Sequence, residues 1–289
     1  MADVGPAGST GINHPVVLPD EVEPARTLTG RDRGRFAGDV AGVADSSRIQ
    51  AARWGLWVAP LVAAFGAAAL VIGPSTPPRS GPFCSADCIG YPYTDAAAFV
   101  SRDYWWMYPG LALVISFLVL AVCLREWVPP QGKLPAAVAV VFATIGATVI
   151  AGDYGIQFAV LQPGLLSGET DGLSALSQYN PHGVFIALEN VGYTAFGVAF
   201  LFLGAALAAG ASRLERVVRW TFTVGGALIV LALVLSAVIY RAALDYRFEV
   251  MSLSVTWLVL ITAGVLLTFV FKGFREKAGQ CEAMADQPG

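Results

Sequence analysis

Charge is scarce in this chain. Asp, Glu, Lys and Arg make up 13% of its 289 residues, against about 25% in a soluble globular domain, which excludes a soluble enzyme as the default reading. Histidine is nearly missing: His14 and His182 are the two, too few for a haem held between paired histidines. No P-loop, dinucleotide fingerprint, His-Glu-x-x-His pair or nucleophile elbow occurs. Accordingly no catalytic residue, cofactor or metal ligand is assigned. Net charge is −3 and no basic domain exists, so nucleic acid is not an expected partner.

What the chain has in abundance is apolar sequence, 56% of its residues, with a mean hydropathy of +0.62. A helix needs about 20 apolar residues to cross about 30 Å of hydrocarbon. Six windows meet that length with at most one charge: 54–73, 104–124, 134–154, 184–209, 218–240 and 252–271. They are continuous Leu, Val, Ala, Ile and Phe runs rather than alternating ten-residue segments, which excludes a β-barrel. The expected fold is all-α, a polytopic membrane bundle of six transmembrane helices, since each helix satisfies its own backbone in lipid. Three parts are expected: a largely disordered arm at 1–53, the six-helix domain at 54–273 and a tail at 274–289.

Basic residues orient the bundle. Arg33, Arg35, Arg48, Arg53, Arg125, Lys133, Arg213, Arg216, Arg219, Lys272, Arg275 and Lys277 fall on the side of the termini, against Arg79, Arg102, Arg241 and Arg247 on the other. Both termini are therefore expected in the cytoplasm of a plasma-membrane protein, with the loops at 74–103, 162–183 and 241–251 outside. Trp54, Trp57, Trp127 and Trp220 are read as aromatic anchors at the inner ends, and Tyr104, Trp105, Trp106, Tyr108 and Tyr240 at the outer ends. Residues 1–53 lack the form of a signal peptide, so the first span is expected to serve as an uncleaved insertion signal. The loops, of about 30 and 20 residues at most, are too short for a core of their own.

In the first outer loop Cys84 and Cys88 stand four apart. An oxidising outer location favours a structural disulfide between them over a redox or metal pair. Cys123 and Cys281 are expected to be reduced thiols.

The polar residues worth most notice flank the third and fourth spans. Counting from Lys133 places Asp153 near the outer edge of span three, where its carboxylate is expected to reach water. Counting back from Ala209 places Glu189 at a similar depth on span four, with Tyr193 one turn along the same face. Asp153, Glu189, Gln157, Tyr193, Asn190 and His182, with Tyr154 beside them, form a candidate site for a cation, a proton or the polar end of a solute. The competing reading is that both acids merely sit at a wet interface, with Glu189 favoured by the N-terminal end of its helix. Asn180 and Pro181 read as the cap and first residue of span four. His182 is read as a capping or interfacial residue before a ligand. Glu169, Asp171, Asp245 and Glu249 are expected to form a solvated acidic rim. Residues 154–166 stay largely apolar beyond span three, so they are expected to continue as a tilted helix, to lie along the outer interface or to fold back into the bundle, with Gly155 and Pro163-Gly164 as bending points. Pro109-Gly110 and Pro60 mark gentle kinks.

Small residues recur every four positions at Ala143, Ala147 and Ala151, at Ala63 and Ala67, and at Gly204 and Ala208, as helix contacts require. Two functions follow from this pattern. One is a multi-pass membrane protein that binds or moves a small solute or cation through a polar site near the outer face. The other is a non-catalytic structural or accessory subunit of a membrane complex. Expected partners are the lipid bilayer, together with partner membrane proteins or further copies of the chain. A membrane-embedded hydrolase or redox enzyme built on Asp153, Glu189 and His182, or on the cysteines, is a third and weaker reading.

Overall fold

The computed structural model describes residues 30–209, 212–241 and 243–285. The expectation of a disordered arm falls, for residues 1–29, outside the described residues, as do His14 and the last four residues of the tail. The described chain is all helical and turn, with no strand. Helix α1 spans Gly30–Ile72, α2 Met107–Trp127, α3 Lys133–Ile156, α4 Gln162–Ser167, α5 Leu173–Leu176, α6 Val184–Ala206, α7 Arg213–Tyr240 and α8 Arg247–Ala285. Six helical segments among them are long and apolar enough to cross a membrane: Ser46–Ser75, Arg102–Trp127, Pro130–Ser167, Val184–Ala206, Arg213–Tyr240 and Arg247–Gln280.

Several helix ends differ from expectation for identifiable reasons. Of the three courses open to residues 154–166, the chain takes the continuing helix. A π-helical turn at Gln157–Leu161 carries it into α4, so one segment of 38 residues continues past the level at which a 20-residue count ends. Gly155 therefore lies inside a helix rather than at its end. Helix α6 begins at Val184 with Gly183 as its cap, not at Pro181. Asn180 instead organises the preceding turn, its Oδ1 accepting from the His182 N–H at 3.0 Å and its Nδ2 donating to the Ser174 carbonyl at 2.6 Å. That is the side-chain-to-backbone turn to which asparagine is suited. Pro109 lies in the first turn of α2, where its missing N–H has no intrahelical partner to lose. Helix α7 has a side-chain cap: Ser212 Oγ accepts from the Glu215 N–H at 3.1 Å, the first half of a Ser-x-x-Glu capping box.

Helix α6 is the hub, packed against α3, α7 and α8. Its approach to α7 depends on Gly226, where an added Cβ would lie 2.5 Å from the Gly197 carbonyl oxygen and 2.9 Å from the Leu201 nitrogen. Its approach to α3 depends on Gly146 and Gly192, whose missing side chains make room for Phe196 and Ile150. Close backbone contact through small residues is how helices associate in lipid, where no hydrophobic drive separates helix from solvent. Ala143 and Ala147 are buried as part of this packing, whereas Ala67 and Ala208 are exposed. Phe117 fills the centre edge-on to Phe196 and Phe200, with ring centroids 5.6 and 5.4 Å away.

Three of the nine aromatic anchors turn inward. Tyr104, Trp106 and Trp127 are buried, while Trp54, Trp57, Trp105, Tyr108, Trp220 and Tyr240 stay exposed. Trp127 packs edge-on against Phe271 and Phe274 of α8, and Trp106 against Tyr154 and Trp257. Aromatic neighbours contribute about 0.5–1.5 kcal/mol beyond area burial.

Candidate functional site

The close approach of α3 and α6 brings Tyr154 to Glu189. The Tyr154 hydroxyl donates to Glu189 Oε1 at 2.9 Å and stands 3.0 Å from the Tyr193 hydroxyl. Glu189 is fully buried and is the sixth residue of α6, beyond the first turn over which a helix dipole acts. Glu249 of α8 is buried as well, at 9% exposure. Glu189 Oε2 has no hydrogen-bond donor. Buried carboxyl groups repel one another when both are charged, unless a proton or a cation offsets the charge.

Of the residues expected to form the site, Glu189 and Tyr193 lie in this cluster. Asp153 is 1% exposed rather than at the water's edge, because the helix runs on past it, and its Oδ2 lacks a donor. Gln157 serves the loop, its Nε2 donating to the Leu176 carbonyl at 2.8 Å. Asn190 is half-buried with an unsatisfied Oδ1. His182 is not brought to the acids: it is 69% exposed, with Nε2 at 3.0 Å from Asp245 Oδ1. Among the described residues no group of three or more His, Cys, Asp or Glu side chains is placed to hold a metal.

Glu249 does not belong to a solvated rim. It is 9% exposed and opens a buried polar stripe with Ser252 and Thr256 along α8. The spacing 249, 252, 256 is one helix face, and it is the signal by which the residue could have been found.

The loops above the cluster are held by a second buried group. Asp103, fully buried, pairs with Arg79 and accepts from the Tyr179 hydroxyl at 3.0 Å and from Arg102 Nε at 3.1 Å. The Arg79 guanidinium lies over the Phe99 ring, 3.5 Å from its centroid. The hydrogen bond that Arg79 donates to Asp103 raises the Arg79 pKa against the opposing effect of burial. Burial likewise pushes the Tyr179 and Tyr246 phenols up. The Tyr246 hydroxyl stands 2.7 Å from Ser80 Oγ and 3.0 Å from the Gln178 carbonyl, and Ser80 donates to the Tyr179 carbonyl. These bonds tie the loops at 74–103 and 162–183 to the start of α8. In the first loop Cys84 and Cys88 form the expected disulfide, with Cα atoms 5.9 Å apart.

Between that loop scaffold and the carboxyl cluster lies a cavity of about 490 Å³. Leu70, Phe83, Trp106, Phe185, Leu253 and Trp257 supply much of its apolar wall, and Arg79, Ser80, Gln178, Ser254 and Glu249 its polar points. Arg79 is already neutralised by Asp103, whereas no basic side chain among the described residues pairs with Glu249. Fold and site together define a multi-pass helical protein with buried polar and charged side chains beneath a loop-covered cavity. No protein-family model, curated protein or solved structure matches the chain.

Proposed function

We propose that this is a plasma-membrane protein, with both termini in the cytoplasm and its disulfide-bearing loops outside, that binds a small solute or cation in the cavity beside Glu249. The observation that carries the reading is a carboxyl group 9% exposed on a cavity wall without a basic partner. A volume near 490 Å³ falls within the range of small-molecule sites, which are mostly apolar with a few polar groups to fix orientation. Behind Glu249, the chain Glu189, Tyr154 and Tyr193 offers a continuation for a proton or cation into the bundle. Ionisable groups in such positions are costly to insert and mark ion or substrate pathways.

Ligand occupancy stabilises a folded protein by mass action, by about 2.7 kcal/mol at a hundred times Kd. With purified protein in detergent, at least one class among small aromatic ammonium, carboxylate and neutral solutes is expected to raise the unfolding midpoint. Leu253→Trp, which fills the cavity, removes that gain. A midpoint unmoved by every class, or moved equally in Leu253→Trp, contradicts the reading.

A further inference from the structure

We propose that the cavity takes an amphiphilic organic amine, its ammonium against Glu249 and its apolar body against the wall that Trp106 and Trp257 form together. This rests on the cavity being a ligand site and names the chemistry of its occupant.

Charge decides first. Glu249 lies on the cavity wall with no basic partner among the described residues, and Glu189, fully buried deeper in the bundle, has an Oε2 without a donor. The one guanidinium on the wall belongs to Arg79, whose charge Asp103 already neutralises. An anionic solute would therefore meet an unpaired carboxylate and no free cation. A neutral solute would leave both carboxyl groups as they stand. An ammonium supplies what is missing at Glu249: a positive charge and N–H donors for its carboxyl group.

Size and lining decide second. A bare metal ion needs several oxygen ligands converging at short range, and no such group occurs among the described residues. The cavity is far larger than an ion, and much of its wall is hydrocarbon and indole. Trp106 and Trp257 line it as a contacting pair, with ring centroids 6.0 Å apart at a tilt of 55°. Aromatic faces attract an organic cation while burying its apolar part.

The test uses the full chain in nanodiscs, equilibrium dialysis against empty discs, and three probes of one shape: 2-phenylethylammonium, 2-phenylethanol and 3-phenylpropionate. The ammonium is expected to bind about tenfold more tightly than the alcohol, the fold-change of one charge-assisted hydrogen bond. Glu249→Gln erases that preference and leaves the alcohol's affinity within about twofold, while Glu249→Asp retains it. Equal or tighter binding of the alcohol or the carboxylate to the unmodified chain overturns the amine assignment. So does a preference that survives Glu249→Gln. If the wrong probes bind and Leu253→Trp expels them, the amine is refuted and the cavity remains a ligand site. If no probe is retained above empty discs, both ideas fall. The three-probe comparison on the unmodified chain decides even if a substitution impairs folding.

Discussion

Asp103→Ala lowers the stability of the folded protein by about 3–5 kcal/mol, the cost of leaving one member of a buried ion pair without the other. Asp103 is fully buried and Arg79 5% exposed, so neither charge is rescued by water. The substitution also removes the acceptor of the Tyr179 hydroxyl and leaves Arg79 held by little beyond the Phe99 ring. Arg102, itself 58% exposed, loses only a surface contact of about 0–1 kcal/mol. Unfolding in graded sodium dodecyl sulfate checks the loss. The paired change Arg79→Leu with Asp103→Leu recovers most of it, because an apolar pair needs no mutual neutralisation. A loss below about 1 kcal/mol for Asp103→Ala would show that the pair is not buried as described.

The second large effect is steric. At Gly226 any Cβ meets the backbone of α6, 2.5 Å from the Gly197 carbonyl oxygen. Backbone cannot rotate aside as a side chain does, so α6 and α7 must separate. Gly226→Leu is expected to cost about 3 kcal/mol, the upper range for overpacking, whereas Gly273→Leu, where a Cβ meets nothing within 4 Å, costs almost nothing. Because α6 also carries Glu189, the same substitution weakens ligand binding at the cavity. Unfolding curves of the two variants under one condition provide the comparison, and equal stabilities would refute the crossing.

How much of this could be read beforehand depends on the range of the interactions. The six spans are visible because hydropathy along twenty residues is a local property, and the long apolar helices follow it. Glu189 and Tyr193 were legible for the same reason, being one turn apart on one helix. Depth is not: counting from Lys133 puts Asp153 at the water's edge, and the apolar run at 154–166 allows the helix to continue without deciding that it does so, through a π-helical turn at Gln157–Leu161. Glu249 was misplaced because an acid in the first turn beside a loop ordinarily faces solvent. Its burial comes from α6 and from a loop scaffold contributed by distant segments. That scaffold was illegible for the same reason, since Arg79 and Asp103 lie 24 residues apart in an irregular stretch, and pairing there is set by tertiary folding rather than by periodicity. Asn180 carries a true polar signal, but its partner is the preceding turn and not the helix end that the sequence suggests.

A cysteine at Ser254, on the cavity wall, puts the open and cation-seeking character of the site to the most direct trial. In intact cells, Ser254→Cys should react with a membrane-impermeant, uncharged thiol reagent, and 2-phenylethylammonium should slow that reaction while 2-phenylethanol at the same concentration does not. Reaction only after the membrane is breached, or a rate indifferent to the ammonium, would contradict an outward-facing cavity that recognises its ligand through Glu249.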